Sequence, residues 1–408
     1  MSTITFEPKS APAPKVRLKP RRALPFFSHH PWVFAGAIDR IEGEPPPGGE
    51  VALYSSDGQF IAAGLYNPAS QIRVRLYSWT EGQALDTQLW GSRLDTALAL
   101  RESLYGPFGP ETACRLVFSE ADELSGLVVD RYGDWLLVQF TALGLWQRRD
   151  LIFDLLESRL KPRGIWLRTE KGMRESERLE LTDGLARGEE PVRPLFVAEN
   201  GLRFGVDVVQ GHKTGFYLDQ RENRMAAARY LSGHRVLDLF CYTGAFGIAA
   251  VKHGGAQAVH AVDSSETALA LARANAELNQ VSASMQFEKS DVFEALERLA
   301  AAGETFDTVI LDPPKMTRHR AGIEKALRGY HSLNELAVRV LKPGGILVTC
   351  SCSGLVGRDD FVAMLSAVSQ RADRPIQILE SRGQAADHPI SVHCLEGGYL
   401  KCYICRVA

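Results

Sequence analysis

The chain contains no run approaching the ~18 apolar residues that a membrane-spanning helix needs, so no membrane partner is expected. Its first residues, MSTITFEPKSAPAPK, lack the apolar stretch of a secretory signal, and residues 1–14 read as a disordered tail. Cysteine is sparse and unpaired in pattern. Seven residues scattered over 408 give no disulfide framework, and reduced thiols in the cytoplasm are the expectation. Excess charge is missing too: 47 Lys and Arg face 49 Asp and Glu, for a net charge of −2. That balance excludes a uniformly basic nucleic-acid binder and shifts attention to how charge is distributed. There is no internal repeat and no low-complexity tract.

What is present is the composition of a soluble globular protein, 45% hydrophobic and 24% charged. The length suggests two or three domains. Two basic runs stand out. Lys15, Arg17, Lys19, Arg21 and Arg22, with His29 and His30, occupy a stretch free of acids up to Ala35. Lys315, Arg318, Arg320, Lys325 and Arg328 are offset by Glu324 alone. Either run can face phosphate or be an ordinary solvated surface.

Three segments follow the tail. Residues 15–80 carry short alternating runs split by Gly, Pro and Asn, the pattern of a small all-β module. Residues 81–190 read as a middle α+β domain. It holds a helix over 81–104, a hairpin turning at Tyr132-Gly133-Asp134, a second helix over 146–160 and a polar stretch over 182–194. Residues 191–408 open with a hairpin at Asn200-Gly201, the strongest short hairpin signal, and then alternate strands with helices. RVLDLF, AQAVHAVD, SASMQFEK, FDTVILD and GGILVTCSC read as strands, with helices notably over 266–279 and 324–341. This predicts an α/β fold, a doubly wound Rossmann-like sheet covered on both faces.

In such a sheet the ligand sits at the carboxyl ends of the strands. The first strand carries Asp238 and runs into CYTGAFG, where Gly244 permits a tight turn and Gly247 close helix packing. The second ends at Asp263, placed to accept from both hydroxyls of a ribose. The third leads to Asp291, facing an adenine amino group, and the fourth to Asp312-Pro313-Pro314. The turn is D-x-F-x-x-T-G, without the glycines that admit a dinucleotide's pyrophosphate. The Asp238 carboxylate suits the ammonium of a methionine moiety better than a phosphate. S-adenosylmethionine is therefore the expected cofactor.

VLDLFCYTGAFG, AVDSS, KSDVF and VILDPP resemble the successive cofactor motifs of class I methyltransferases. HKTGFYLDQRENR is similar to the segment leading into the fold of bacterial large-subunit ribosomal RNA cytosine-5 methyltransferases. In that family the resemblance spans nearly the whole chain. HPWVFAGAIDRI and the strands after it look like its N-terminal PUA module, a small RNA-binding β-barrel, and EADELSGLVVDRYGDWLLVQ looks like its middle domain. The resemblance implies a cofactor pocket of Gln220, Arg221, Phe240, Tyr242, Gly244, Asp263, Ser264, Asp291 and Asp312. It implies large-subunit ribosomal RNA as partner. The β-module can equally serve the contacts of a homodimer.

Cytosine C5 is too weakly nucleophilic to take a methyl group until a nucleophile adds at C6. The family's S-C-S-G pattern falls on Ser351-Cys352-Ser353-Gly354, which makes Cys352 the candidate thiolate, with Cys350 as its alternative. Asp312 would bind the N3 edge of the cytosine, Pro313-Pro314 would stiffen its loop, and the base must leave its stack to arrive there. Many related RNA enzymes carry a second Cys just after the Pro of this motif. Here Lys315 follows the prolines, and the group that removes the C5 proton has no assignment. Lys315 can contact phosphate or remain solvated.

Cys402-x-x-Cys405, near His393 and Cys394, lacks a second C-x-x-C and alternates like a terminal strand, so no metal is expected. His388 in AADHPI can contact substrate or cap the fold. Two other functions stay open. One is methylation of an exocyclic amine, which Asp312-Pro313-Pro314 also fits, although Lys315 stands where that chemistry usually has an aromatic ring. The other is a non-catalytic RNA-binding or ribosome-assembly role.

Overall fold

A computed structural model describes residues 13–169, 172–209, 215–317 and 319–408. Most of the expected tail, His212, Lys213, Thr214 and Arg318 lie outside the described residues.

Six strands form the N-terminal sheet, in the order Trp32–Phe34, Ile72–Ser78, Phe60–Tyr66, Glu50–Tyr54, Lys15–Leu18, Ile38–Glu42. Val16, Leu18, Val33, Val51, Leu53, Ile61, Val74 and Leu76 build its core from alternate positions of these strands. Part of the first basic run is spent internally: Arg17 pairs with Glu42 at 2.5 Å and Lys19 donates to Gly36 O at 3.1 Å. Arg21 and Arg22 remain exposed.

The middle sheet runs Gly184–Gly188, Gly164–Leu167, Trp135–Phe140, Leu127–Tyr132, Ala113–Phe118. Helices Thr87–Tyr105 and Arg149–Leu160 cover one face through Trp90, Leu94, Ile152 and Leu156. The other face, with Tyr132, Trp135 and Leu137, shares one core with the hairpin Leu195–Glu199/Leu202–Val206 and the C-terminal sheet.

That C-terminal sheet has seven strands, in the order Met285–Lys289, Ala258–Asp263, Arg235–Leu239, Phe306–Leu311, Leu341–Ser351, Lys401–Val407, Ile376–Arg382. The first five are parallel, and Lys401–Val407 lies antiparallel to both of its neighbours. Successive side chains point to opposite faces. Val236, Val259, Ile310 and Val348 join one core with helices Arg221–Ala228, Ala245–Lys252 and Glu266–Leu278. Leu237, Val262, Leu311 and Leu347 join the other with helices Val292–Ala301, Ile323–Arg339 and Arg358–Ala372. The sheet is doubly wound, and loops at the carboxyl ends of its parallel strands are left to form a site.

Several expected elements shift. The helix expected over 81–104 starts at Thr87, because Asp86 Oδ1 accepts from the N–H groups of Gln88 and Leu89, both at 3.0 Å. The helix expected over 146–160 is two, Leu143–Gln147 and Arg149–Leu160, breaking at Arg148. Within the polar stretch 182–194 lies the edge strand Gly184–Gly188, held by backbone pairing and by small Ala186 packed on the middle core. Strand Ile376–Arg382 was not expected. It too is an edge, and its largely exposed residues carry no period-two signal.

Candidate active site

At the end of strand Arg235–Leu239 the backbone turns through three left-handed residues, Phe240 (φ 60°), Tyr242 (φ 49°) and Gly244 (φ 78°). Glycine adopts this conformation freely, whereas the two aromatic residues are held there at about 1–3 kcal/mol each. Asp263 helps to hold them: its Oδ2 accepts from Tyr242 N at 2.9 Å and its Oδ1 from Ser265 N at 2.9 Å. The ends of the first and second strands are thus one structure. Ser264, between these contacts, is exposed.

Asp238 is buried beneath this turn, and its Oδ2 accepts from Gly247 N at 2.9 Å at the start of helix Ala245–Lys252. Burial pushes its carboxyl up to about 7, the Gly247 hydrogen bond opposes this, and the charges of Asp312 and Asp263 add to the rise. The carboxylates of Asp263 and Asp312 are thus near enough to act on the charge of Asp238. Asp291 is exposed and caps helix Val292–Ala301, accepting through Oδ1 from Phe293 N at 2.8 Å and Glu294 N at 3.3 Å.

Asp312 follows strand Phe306–Leu311, and its Oδ1 accepts from Gln220 Nε2 at 2.9 Å. Gln220 Oε1 in turn accepts from Asn223 Nδ2 at 2.7 Å. Tyr217, from the same upstream segment, packs edge-on against Tyr242 with ring centroids 5.4 Å apart. Its phenol is raised by burial and by the neighbouring Asp312, Tyr242 and Cys352. The sequence had not singled out Tyr217, although it stands inside a quoted motif.

The 351–354 turn lies beside the Asp312 loop. Cys352 Sγ, half-buried, donates to Pro313 O at 3.9 Å. Its serine neighbours point the other way: Ser351 Oγ donates to Tyr330 OH at 2.9 Å, and Ser353 Oγ lies 3.0 Å from the same phenol and accepts from Met316 N at 3.1 Å. Buried Tyr330 on helix Ile323–Arg339 so pins both serines and leaves Cys352 on the site face. Cys350 is fully buried opposite Cys402, and its hydrogen bond to Cys402, together with burial, pushes its thiol well up. It is a poor nucleophile where it stands.

Other expected residues are not brought together with these. Arg221 is buried with its guanidinium against the Tyr105 ring (4.3 Å), 3.6 Å from Glu199 and bonded to Ala113 O. These are ties to the middle domain and the hairpin. His388 is buried against Phe118, its Nδ1 2.8 Å from Asp387 Oδ1, while Asp387 Oδ2 accepts from Arg115 N at 2.9 Å. These contacts tie Asp387 and His388 to the middle sheet. Lys315 is exposed. Cys402 and Cys405 sit three apart on one strand and enter opposite cores, so they cannot share an ion. His30, Cys394 and Glu396 bring ligand-type atoms within 4.8 Å of one another. However, His30 Nδ1 accepts from Trp32 N at 3.2 Å, which keeps the neutral ring's proton on Nε2, facing Glu396 at 3.5 Å. Among the described residues no helix is long and apolar enough to cross a membrane.

Residues 182–387 match the S-adenosylmethionine-dependent methyltransferase family model, and residues 16–79 match that of PUA-like domains. The ribosomal RNA large subunit methyltransferase I of Photobacterium profundum is 42% identical over 380 residues, 93% of this chain and 95% of that protein. The chain belongs to that family. The Shewanella denitrificans member is 40% identical over 395 residues, 96% of this chain and 99% of its own. A Streptococcus mutans structure described as a SAM-dependent methyltransferase aligns with a TM-score of 0.82 at 21% identity, covering 96% of this chain and 99% of that one. A methyltransferase complexed with SAH aligns at 0.83 and 22%, with the same coverage. At such identities the likeness is one of fold.

As a member of an S-adenosylmethionine-dependent methyltransferase family, the chain takes a ligand with a sulfonium and an ammonium. The residues present fit it. Burial lifts the Asp238 carboxyl into the neutral range, and repulsion from Asp312 and Asp263 adds to the rise. Positive charge placed among them relieves that repulsion.

Proposed function

We propose that the chain transfers a methyl group from S-adenosylmethionine to C5 of a cytosine in large-subunit ribosomal RNA, through a covalent adduct with Cys352. The observation that carries this reading is the meeting of the Cys352 and Asp312 loops, with Cys352 Sγ 3.9 Å from Pro313 O. The thiol is half-buried and meets the backbone of the residue that follows Asp312. The names and coverage of the relatives support ribosomal RNA as substrate. The PUA-like residues 16–79, with exposed Lys19, Arg21 and Arg22, supply a surface for its backbone.

In this reading Asp238, Phe240, Tyr242, Gly244, Asp263, Ser264 and Asp291 hold the cofactor, and Gln220 keeps Asp312 in position. When bound, S-adenosylmethionine supplies a methyl carbon made electrophilic by its sulfonium. The Cys352 thiolate adds to C6, the C5–C6 π pair moves to C4–C5, and the C4–N3 π pair is left on N3, which takes up a proton from solvent. Asp312 faces the N3 edge and stabilises that N–H. C5 thereby becomes an enamine carbon able to take the methyl group. Loss of the C5 proton to solvent then restores the C5–C6 double bond as the C6–S pair returns to Cys352, and N3 gives up the proton it had taken. Arg221 lies outside this scheme, since its partners belong to the middle domain and the hairpin.

The test is tritium transfer from labelled cofactor to unmodified ribosomal RNA by Cys352→Ala and Cys350→Ala variants. Loss with the first and retention with the second is expected; undiminished transfer by Cys352→Ala overturns the covalent route. Mass spectrometry of digested RNA should show 5-methylcytidine, and N4-methylcytidine or 6-methyladenosine would overturn the choice of C5.

A further inference from the structure

Lys401 opens the strand Lys401–Val407, directly across from Ser351, one residue before Cys352. Its side chain is almost entirely buried, and Nζ donates to Ser353 O at 2.7 Å and Tyr399 O at 2.8 Å. The first acceptor is the carbonyl of the residue that follows Cys352. Among the described residues no carboxylate pairs with this ammonium. Asp360, the nearby acid, is engaged in accepting from Gly357 N at 3.0 Å.

A buried ammonium without a counter-charge is costly, and proteins retain one where something else supplies the negative charge. Two carbonyl dipoles alone do not explain a lysine, because a neutral donor would satisfy them. We propose that Lys401 is a positioning residue that supplies the positive charge against which Cys352 ionises. The inference rests on the reading of Cys352 as the nucleophile. The thiol proton leaves to solvent, and the thiolate becomes the missing counter-ion of the lysine.

The electrostatics of the surrounding elements agree. Burial pushes the Lys401 ammonium down to about 8, and Cys352 is the strongest influence holding it up. Arg358 and Lys315 push it further down and Asp360 opposes them. Cys352 is also faced by the phenols of Tyr217, Tyr330 and Tyr399, each raised by burial and by the thiol's charge. Asp312 stands on the Pro313 loop. Lys401 is thus a buried cation set among phenols and acids, with Arg358 and Lys315 exposed at the edge of the neighbourhood.

Cys352 can be read selectively, since the other six cysteines are buried. The experiment is the pH profile of Cys352 alkylation by iodoacetamide, followed by mass spectrometry of its peptide in wild type, Lys401→Met, Lys401→Gln and Lys401→Arg. In wild type the midpoint should lie below the ~8.5 of a free cysteine. Met and Gln should raise it by about one unit, a roughly tenfold slower alkylation at pH 7, and Arg should restore it. Gln retains a donor toward Ser353 O and Tyr399 O without the charge, so it decides the matter if Met fails to fold. A wild-type midpoint at or above ~8.5, or an unchanged midpoint in a folded neutral variant, overturns the proposal. The measurement involves no RNA. A profile shift alongside an active Cys352→Ala enzyme would refute the covalent route and leave the Lys401–Cys352 pairing standing.

Discussion

Gln220 and Asp312 are separated by 92 residues, yet the Gln220 amide donates to the Asp312 carboxylate at 2.9 Å. A residue upstream of the sheet thereby fixes a group at the end of its fourth strand. Hydrogen bonds to a charged group are worth about 1.5–3 kcal/mol. Gln220→Leu should therefore slow methyl transfer roughly tenfold to a hundredfold while cofactor affinity, measured by calorimetry, changes little. Equal single-turnover rates would remove Gln220 from the positioning of Asp312.

Asp238 should make cofactor binding depend on pH. Its carboxyl is pushed up to about 7 in the folded chain, against ~3.9 unfolded. Between those values the native state holds the extra proton, so the stability of the free protein should fall as pH rises from 4 toward 7. A cationic ligand favours the ionised carboxylate, so binding should release protons and tighten from pH 6 to 8. Calorimetry in two buffers of different ionisation enthalpy measures that release, which Asp238→Asn should abolish.

Gly247 is a packing glycine. A methyl group there would lie 2.7 Å from Met285 Cε, 3.0 Å from Val259 Cγ1 and 3.1 Å from Asp238 Oδ2. Gly247→Ala should cost about 1–3 kcal/mol by overpacking and weaken cofactor binding by displacing Asp238. Urea denaturation and cofactor titration of the same preparation check both effects.

Arg101 ties the middle domain to the C-terminal segment. It is fully buried, meets both oxygens of Asp122 at 2.6 and 2.8 Å, and donates to Asp387 O at 2.8 Å. Removing one partner of a buried ion pair costs about 3–5 kcal/mol. Arg101→Ala should lose stability on that scale in urea, with cofactor affinity near wild type in the fraction that stays folded. A loss below 1 kcal/mol would show that water replaces the guanidinium.

The alternation of strands and helices and the polar residues at the strand ends are legible in the chain alone. Both follow from local rules: apolar runs long enough to be buried on two faces, and acids or glycines where those runs stop. Asp238, Asp263 and Asp312 were legible for that reason, and Cys352 by its motif. Long-range burial, which no local pattern encodes, set the rest. It turned Arg221 toward Tyr105 and Glu199, buried Cys350 against Cys402, and sent Cys402 and Cys405 into opposite cores. It seated the buried ammonium of Lys401 beside the Cys352 turn, where nothing in LKCYICRV distinguishes it from a solvated lysine. The edge strand Ile376–Arg382 was invisible because backbone pairing to Lys401–Val407, and no hydrophobic pattern of its own, holds it in place.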